Sequence, residues 1–313
     1  MTNDFRVAAV QAAPVWLDRE KSTDKACRLI QEAADRGAVL AAFGETWLPG
    51  YPVWAMSQGF MGRLRFADAY LEHAVEIPGP TTDRLCQAAA QGDIDVVIGV
   101  AERDRRTAGT AYSTLLFIGA DGTILGRHRK LKPTDGERTI WGDGDASGLR
   151  VHERPYGRIS GLNCWEHNMV LPGYVLMAEG TQIHVAAWPG EDAPPLRSTT
   201  RQLLLSQAFA SQAACYVVCV GSVIDQDGVP EFARDMVPVR AGMSAIIDPF
   251  GEILAGPVEG ETILVAAVSL GSIHVAKTAC DVGGHSMRSD IFRLEVDRQA
   301  RDVLVTQDRL SGA

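Results

Sequence analysis

Apolar residues fall along this chain in short unbroken runs, separated by stretches with helical spacing. The runs at 6–10, 38–43, 95–100, 158–162, 182–187 and 216–220 read as strands buried on both faces. A strand covered on one face only would alternate apolar with polar residues, and these do not. Between them, 21–35 places Ala26, Leu29, Ile30 and Ala33 on one helical face, with Gly37 as the stop. The pattern predicts further helices over 60–73 and 81–91 and near 196–213. Leu48-Pro49-Gly50-Tyr51-Pro52 must be a loop.

Two hairpins interrupt this alternation. One runs over 114–126 with Asp121-Gly122 at its turn, and the other over 244–255 with Gly251. They share a rhythm, which hints at two halves related by pseudo-symmetry, although hairpins are common. Interleaved strands and helices predict sheets covered by helices. The hairpins predict that these sheets are mixed rather than all parallel. No low-complexity linker divides the 313 residues, so residues 1–313 read as a single domain with a short tail after about residue 290.

Charge narrows the partners. The net charge is −9 with no offsetting basic block, which argues against nucleic acid and anionic membrane surfaces. The N-terminal apolar stretch is broken by Gln11 and Pro14, so neither a signal peptide nor a membrane span is expected, and the default location is the cytoplasm. The six cysteines show no framework spacing and are expected as free thiols.

Three polar motifs stand where apolar runs end: Gly44-Glu45-Thr46-Trp47, Arg127-His128-Arg129-Lys130 and Asn163-Cys164-Trp165-Glu166. Strand ends are where side chains from distant segments converge. A thiol beside a base and a cation is equipped for covalent catalysis at an electrophilic carbon. Cys164 is followed by the polar cluster Trp165-Glu166-His167-Asn168, whereas Cys215 and Cys219 lie in an apolar run and read as core. Glu45 is followed by the aromatic stretch 46–54; burial there would raise its pKa towards that of a working general base. The pattern alone does not separate Lys130 from Lys132 or Arg129. Glu137 could equally form a surface ion pair with Arg138 or Lys132. The loop Trp141-Gly142-Asp143-Gly144-Asp145 mixes charges with Trp and Gly and is expected to fold over a pocket. No HExxH, CxxC or dinucleotide-binding glycine pattern occurs, so neither a metal nor a cofactor is expected.

Glu45, Lys130 and Cys164, in that order, resemble the Glu-Lys-Cys triad of the nitrilase superfamily of carbon–nitrogen hydrolases. Cys164-Trp165-Glu166, the segments 128–134, 137–138 and 140–145, and His184-Val-Ala-Ala-Trp-Pro189 resemble its nitrilase branch. The resemblance selects Lys130 and spans roughly residues 7–290. It implies an α/β fold, a four-layer α-β-β-α sandwich with two mixed sheets. It also implies hydrolysis of an organic nitrile to the acid and ammonia through a thioimidate and a thioester on Cys164. In that scheme Glu45 is the general base. Lys130 and a backbone N–H near Trp165 stabilise charge, and Glu137 orients Lys130 or assists proton transfer. Tyr51, Trp54, Trp141 and Trp188 could line an apolar substrate site or could be core. Ser289 stands where the family's end motif usually has Pro, and the chain stops soon after; the resemblance implies a homodimer or larger closed oligomer and leaves filament formation open. An amidase, a carbamoyl-amide hydrolase or a cyanide-hydrolysing enzyme would use the same triad, while an inactive oligomeric module would have it broken.

Overall fold

A computed structural model describes residues 4–57, 59–192 and 200–301. In the first half, β1 (Asp4–Gln11), α1 (Arg19–Asp35) and β2 (Ala38–Ala42) lead through α2 (Trp54–Ser57), α3 (Phe60–Glu72) and α4 (Pro80–Gly92). Then follow β3 (Asp95–Arg103) and the hairpin β4 (Ala111–Ile118) and β5 (Ile124–Arg129). The second half runs β6 (His152–Arg154), β7 (Gly157–Asn163), α5 (Val170–Ala178), β8 (Ile183–Trp188), α6 (Arg201–Ala213) and β9 (Tyr216–Gly221). It closes with β10 (Val223–Ile224), the hairpin β11 (Arg240–Ile247) and β12 (Ile253–Glu259), then β13 (Thr262–Ser269) and α7 (Leu270–Ala279).

Two mixed sheets result. One has the order β13-β1-β2-β3-β4-β5; the other has β10-β11-β9-β8-β7-β6 with β12 beside β11. In the first, β1, β2 and β3 are parallel and the β4–β5 hairpin adds antiparallel. The second repeats this with β7, β8 and β9, then β11–β12. Each set carries one more antiparallel strand on its far side, β13 on β1 and β6 on β7. The shared rhythm of the two hairpins thus reflects two halves with the same strand plan.

Period-2 alternation explains why the strands read as solid apolar runs. Val7, Ala9, Leu40, Ala42 and Val97 face Val185, Ala187, Val218 and Val220 of the other sheet. The intervening Ala8, Val10, Ala41, Val96 and Ile98 pack outward on Ala26, Ile30, Ala33, Leu85 and Ala89 of α1 and α4. On the other side Ala186, Val217 and Cys219 pack on Leu176, Phe209 and Ala213 of α5 and α6. The layers are therefore helix, sheet, sheet, helix. Cys215 and Cys219 are buried in that last cluster, as their apolar setting predicts.

Six of these strands and helices lie outside the sequence expectations, the short α2, β6 and β10 and the longer β13, α5 and α7. Strand β13 has no turn signal of the Asp-Gly kind before it. Helix α5 is apolar around its whole circumference and contains Pro172 and Gly173, but Pro172 falls in the first turn, where no backbone bond is lost. Helix α7 follows β13 directly, capped by the Ser269 hydroxyl accepting from Gly271 N–H. Helix α6 begins at Arg201, and the rest of the expected stretch, 196–199, lies outside the described residues. Among the described residues no helix is long and apolar enough to cross a membrane.

Candidate active site

Strand β2 ends against the facing sheet, and the next three residues thread between the layers. Glu45 N–H donates to Trp188 O at 3.1 Å. The passage is too tight for side chains. A Cβ on Gly44 would meet Ser222 Oγ at 2.2 Å, and one on Gly99 would meet Gly44 O at 2.2 Å. This places the Glu45 side chain, fully buried, in the interior beyond the strand end.

Lys130 arrives from β5. Its N–H donates to Ser113 O at 2.7 Å, which continues the β4–β5 ladder one step past Arg129. Lys130 and Ser113 therefore project from the same face, and both reach Glu45 Oε1, at 2.8 and 3.1 Å. Glu137 meets Lys130 Nζ through both oxygens, at 3.0 and 2.7 Å. It stands in the one-turn helix Asp135–Thr139 and reaches back to accept from Thr134 N–H at 2.6 Å. Tyr51 Oη donates to its other oxygen at 2.6 Å. The expected alternative, a surface pair with Arg138 or Lys132, does not form; Lys132 pairs with Asp143 instead.

Cys164 follows β7 directly and opens the one-turn helix Cys164–Asn168. Its φ is +48°, a left-handed conformation that a residue with a Cβ adopts at a local energetic cost, typically at functional turns. One oxygen each of Glu45 and Glu137 and the Cys164 sulfur lie within 4.8 Å of one another. Such a trio could ligate a metal, but the Lys130 ammonium already supplies the positive charge between the two carboxylates.

Burial sets the protonation states. It pushes the Glu45 carboxyl up, Lys130 pulls it back and Glu137 pushes again, leaving it at about 7. Burial by itself would depress the Lys130 ammonium, yet Glu45, Cys164 and Glu137 hold it above its ordinary value. The Cys164 thiol is pushed well up, by burial and by Glu45, against the pull of Lys130 and the Trp165 backbone N–H. It therefore rests as a thiol beside a carboxylate able to accept its proton near neutral pH. Lys130 has three N–H donors and three carboxylate oxygens around it, one of Glu45 and two of Glu137, so a reacting atom receives a donor by taking the place of one Glu137 oxygen. Glu45 Oε2 is buried and makes no hydrogen bond.

Glu166 stood out in the sequence only as part of a polar cluster. Its buried carboxylate accepts from Asn163 N–H and Leu131 N–H, both at 2.9 Å, and meets His128 Nε2 at 3.0 Å. It thus ties the residue before Cys164 to the residue after Lys130. Burial opposes its ionisation, but His128 and the two N–H groups hold its pKa below the ordinary value. The legible signal was its spacing: Asn163-x-x-Glu166, like Thr134-x-x-Glu137, puts a glutamate where it can reach back to the backbone N–H before its helix. His167 adds a bond to Cys164 O at 2.7 Å and meets the buried His184 at 3.0 Å.

The aromatic residues divide. Tyr51 touches Glu137, and Lys130 Nζ lies 5.7 Å from the centroid of Trp141, whose Nε1 donates to Tyr70 Oη. Trp54 stacks on Phe66 in the same apolar cluster that holds Tyr51 and Trp141 but forms no hydrogen bond with the charged groups, and Trp188 stacks on His167 with its Nε1 on Ser206. Their rings pack as core. The Trp165 ring is half exposed beneath the Arg201 guanidinium, so only its backbone N–H serves Cys164.

A buried thiol, two carboxylates and an ammonium on an α-β-β-α sandwich define a class of cysteine hydrolase, and the comparisons place the chain within it. The carbon–nitrogen hydrolase family model matches residues 6–278, and the chain belongs to that family, in its nitrilase branch. It is 52% identical over 308 residues to Nitrilase 2 of an unknown prokaryotic organism, covering 97% of this chain and 96% of that one. An aliphatic nitrilase of Rhodococcus rhodochrous is 38% identical, with 95% of this chain and 84% of that protein covered. Among solved structures, Saccharomyces cerevisiae Nit3, a member of branch 10 of the superfamily, superposes with a TM-score of 0.74 at 19% identity, covering 90% of this chain and 96% of that one. At that identity the likeness shows the fold alone.

Proposed function

We propose that this enzyme is a nitrilase that converts an organic nitrile and two waters to the carboxylic acid and ammonia. The carrying observation is the closed set Glu45–Lys130–Glu137 around the Cys164 thiol, in a chain so similar to proteins named nitrilases. Glu45 takes the thiol proton as sulfur bonds to the nitrile carbon, because a thiol held this far above its ordinary pKa does not ionise beforehand. The nitrile nitrogen gains negative charge, which Lys130, turning one N–H from Glu137, and the Trp165 N–H stabilise; each such donor contributes on the order of 3 kcal/mol. Glu45 passes the thiol proton to that nitrogen, which gives the thioimidate and leaves Glu45 ionised again. Water then attacks the same carbon while Glu45 accepts its proton, ammonia leaves, and a thioester remains. A second water releases the acid and restores the thiol. If the first tetrahedral adduct expels the thiol instead, the amide emerges as a side product.

Glu137 holds Lys130 in place and keeps it charged. Tyr51 and Trp141 border the cluster and are our choice for the inner wall of the substrate site. We read residues 1–313 as one hydrolase domain acting in the cytoplasm, a reading supported by its free cysteines. We also read it as a homodimer or larger closed oligomer. The exposed Met169, Val170 and Leu171 at the start of α5, with Leu204 on α6, support pairing through this helix layer.

The test is ammonia release from aliphatic, aryl and arylacetyl nitriles, their amides, and cyanide. Ammonia from an organic nitrile with acid as the main product is the expected result. Ammonia from amides alone would replace this reading with an amidase, and turnover of cyanide alone would make it a cyanide hydrolase.

A further inference from the structure

Helices α1 and α4 cover the outer face of the first sheet over β1–β3, and this cover runs out towards β4 and β5. There the outward positions change character. Glu102, Tyr112, Arg127 and Arg129 stand where Ile98, Val100 and Leu116 stand further along the same face. These residues line a cavity of about 380 Å³. Its wall includes Arg103, Arg105, Arg106, Arg127, Arg129 and Arg301, against three carboxylates, Glu102, Asp104 and Asp145. The whole chain carries 39 acidic and 30 basic residues, so this cavity inverts the sign of the molecule.

The arrangement is built rather than accidental. Glu102 is buried and accepts from Thr114 Oγ1 at 2.8 Å. From beneath, it anchors Arg127 at 2.7 Å and Arg129 at 2.6 and 3.0 Å. The Arg129 guanidinium is further fixed 3.9 Å above the Tyr112 ring. The other two carboxylates are occupied by backbone. Asp104 accepts from Arg106 and Thr107 N–H, and Asp145 from Ser147 and Arg301 N–H. Arg105 is 64% exposed and its nearest carboxylate, Glu76, is 3.7 Å away. Arg127 is 40% exposed. Arg103 pairs with Glu76 and Arg127 Nη1 also donates to Ile77 O, and since a guanidinium offers five N–H donors in a rigid fork, the edges of Arg105, Arg127 and Arg129 not held by these contacts are directed at solvent or a ligand. Alternation along β5 separates this cavity from the triad. Arg129 projects outward and Lys130 inward, so the two lie on opposite faces of the sheet.

We propose that this cavity binds a small multivalent oxyanion, either a phosphate-bearing or a polycarboxylate molecule. Planar forks held by a buried carboxylate match the oxygens of such anions two at a time. A cleft of inverted sign attracts them against the net charge of the chain. The site is separate from the hydrolytic reading and does not depend on it.

The experiment is calorimetric titration of the full-length protein with pyrophosphate and with citrate, at low and at physiological ionic strength. We expect saturable one-to-one binding of at least one anion, weakened by salt. In the double variant Arg105→Ser/Arg127→Ser it should weaken at least about tenfold, since each charge-assisted hydrogen bond contributes roughly 1.5–3 kcal/mol. Binding of pyrophosphate alone would assign the phosphate class, and of citrate alone the polycarboxylate class. Unchanged circular dichroism and ammonia release in the double variant, and in Arg127→Glu as a second probe, would show that the fold is intact. No saturable binding of either anion, or equal affinity in wild type and variants, overturns the proposal.

Discussion

The two hairpins occupy equivalent places in the two sheets, yet only one of them brings buried charge to the candidate site. Strand β5 turns His128 and Lys130 into the interior, where each meets a glutamate. Strand β12 ends in Val258 and Glu259, with Glu259 exposed. The same asymmetry separates the parallel strands. Glu45 lies beyond the end of β2 and Cys164 beyond β7, whereas their counterparts after β8 and β1 are Pro189-Gly190 and Ala12-Ala13. A repeated backbone plan provides the strand ends, but charge can be buried only where other charges meet it. Buried Glu102 meets Arg127 and Arg129 and buried Asp95 meets Arg154, but the meeting place beside Cys164 draws its ammonium and base from one half and its thiol from the other.

Substitutions on the two sides of this comparison should diverge sharply. Cys164→Ala should reduce nitrile turnover by at least about 10⁴-fold with the circular dichroism spectrum unchanged. Residual ammonia release near the wild-type rate would remove the nucleophile. Lys130→Ala should lose roughly 10²–10³-fold in kcat through the missing donor. It should also lose about 3–5 kcal/mol of stability, because Glu45 and Glu137 are left buried without a cation. In the equivalent hairpin, Glu259→Gln should change stability by less than about 0.5 kcal/mol. Equal effects of these two changes in denaturant titrations would erase the distinction.

Glu166→Ala tests the positioning between the halves. It removes the acceptor for Asn163 and Leu131 N–H, so kcat should fall by about 10- to 100-fold with KM little changed. Alkylation of Cys164 by iodoacetamide should slow in parallel. A merely structural role would lower Tm without slowing alkylation.

The smallest effect is a pH profile. Glu45 must be ionised to act as base, so kcat/KM should rise with pH through about 7. Stability should run the other way. A raised carboxyl pKa means that the folded state holds its proton while the unfolded chain has released it. This contribution is complete below the ordinary value of 4.5 and is lost as pH rises through about 7. Glu45→Gln should abolish activity and flatten that stability trend; an unchanged trend would place the titration elsewhere.

The strands were legible because burial on both faces makes their runs continuous, and the hairpins because Asp-Gly and Gly mark their turns. Strand β13 was not, since its place beside β1 is a pairing across more than 250 residues of chain that leaves no local mark. Helix α5 hid behind Pro172 and Gly173. In the site, Glu45, Lys130 and Cys164 were visible as polar residues ending apolar runs, and Glu137 was visible in its motif. Glu166 was visible only as a neighbour of Cys164, because its partners, Leu131 and His128, are 35 and 38 residues away. The tryptophans could not be sorted at all. Composition says that an indole is buried, but not whether it meets Lys130, as Trp141 does, or Phe66, as Trp54 does.

Sequence by itself determined the strands, helices and hairpins, since alternation and turn residues are properties of neighbouring positions, while the four-layer plan and the candidate Glu45, Lys130 and Cys164 followed from motifs that resemble the nitrilase branch. Tertiary structure decided how Lys130 is shared between Glu45 and Glu137, which carboxylate is raised and which lowered, and which arginines gather on the opposite face. Those outcomes depend on distance and burial between segments that meet only when the two sheets close on each other, and burial is what turns an ordinary glutamate into a base poised near neutral pH.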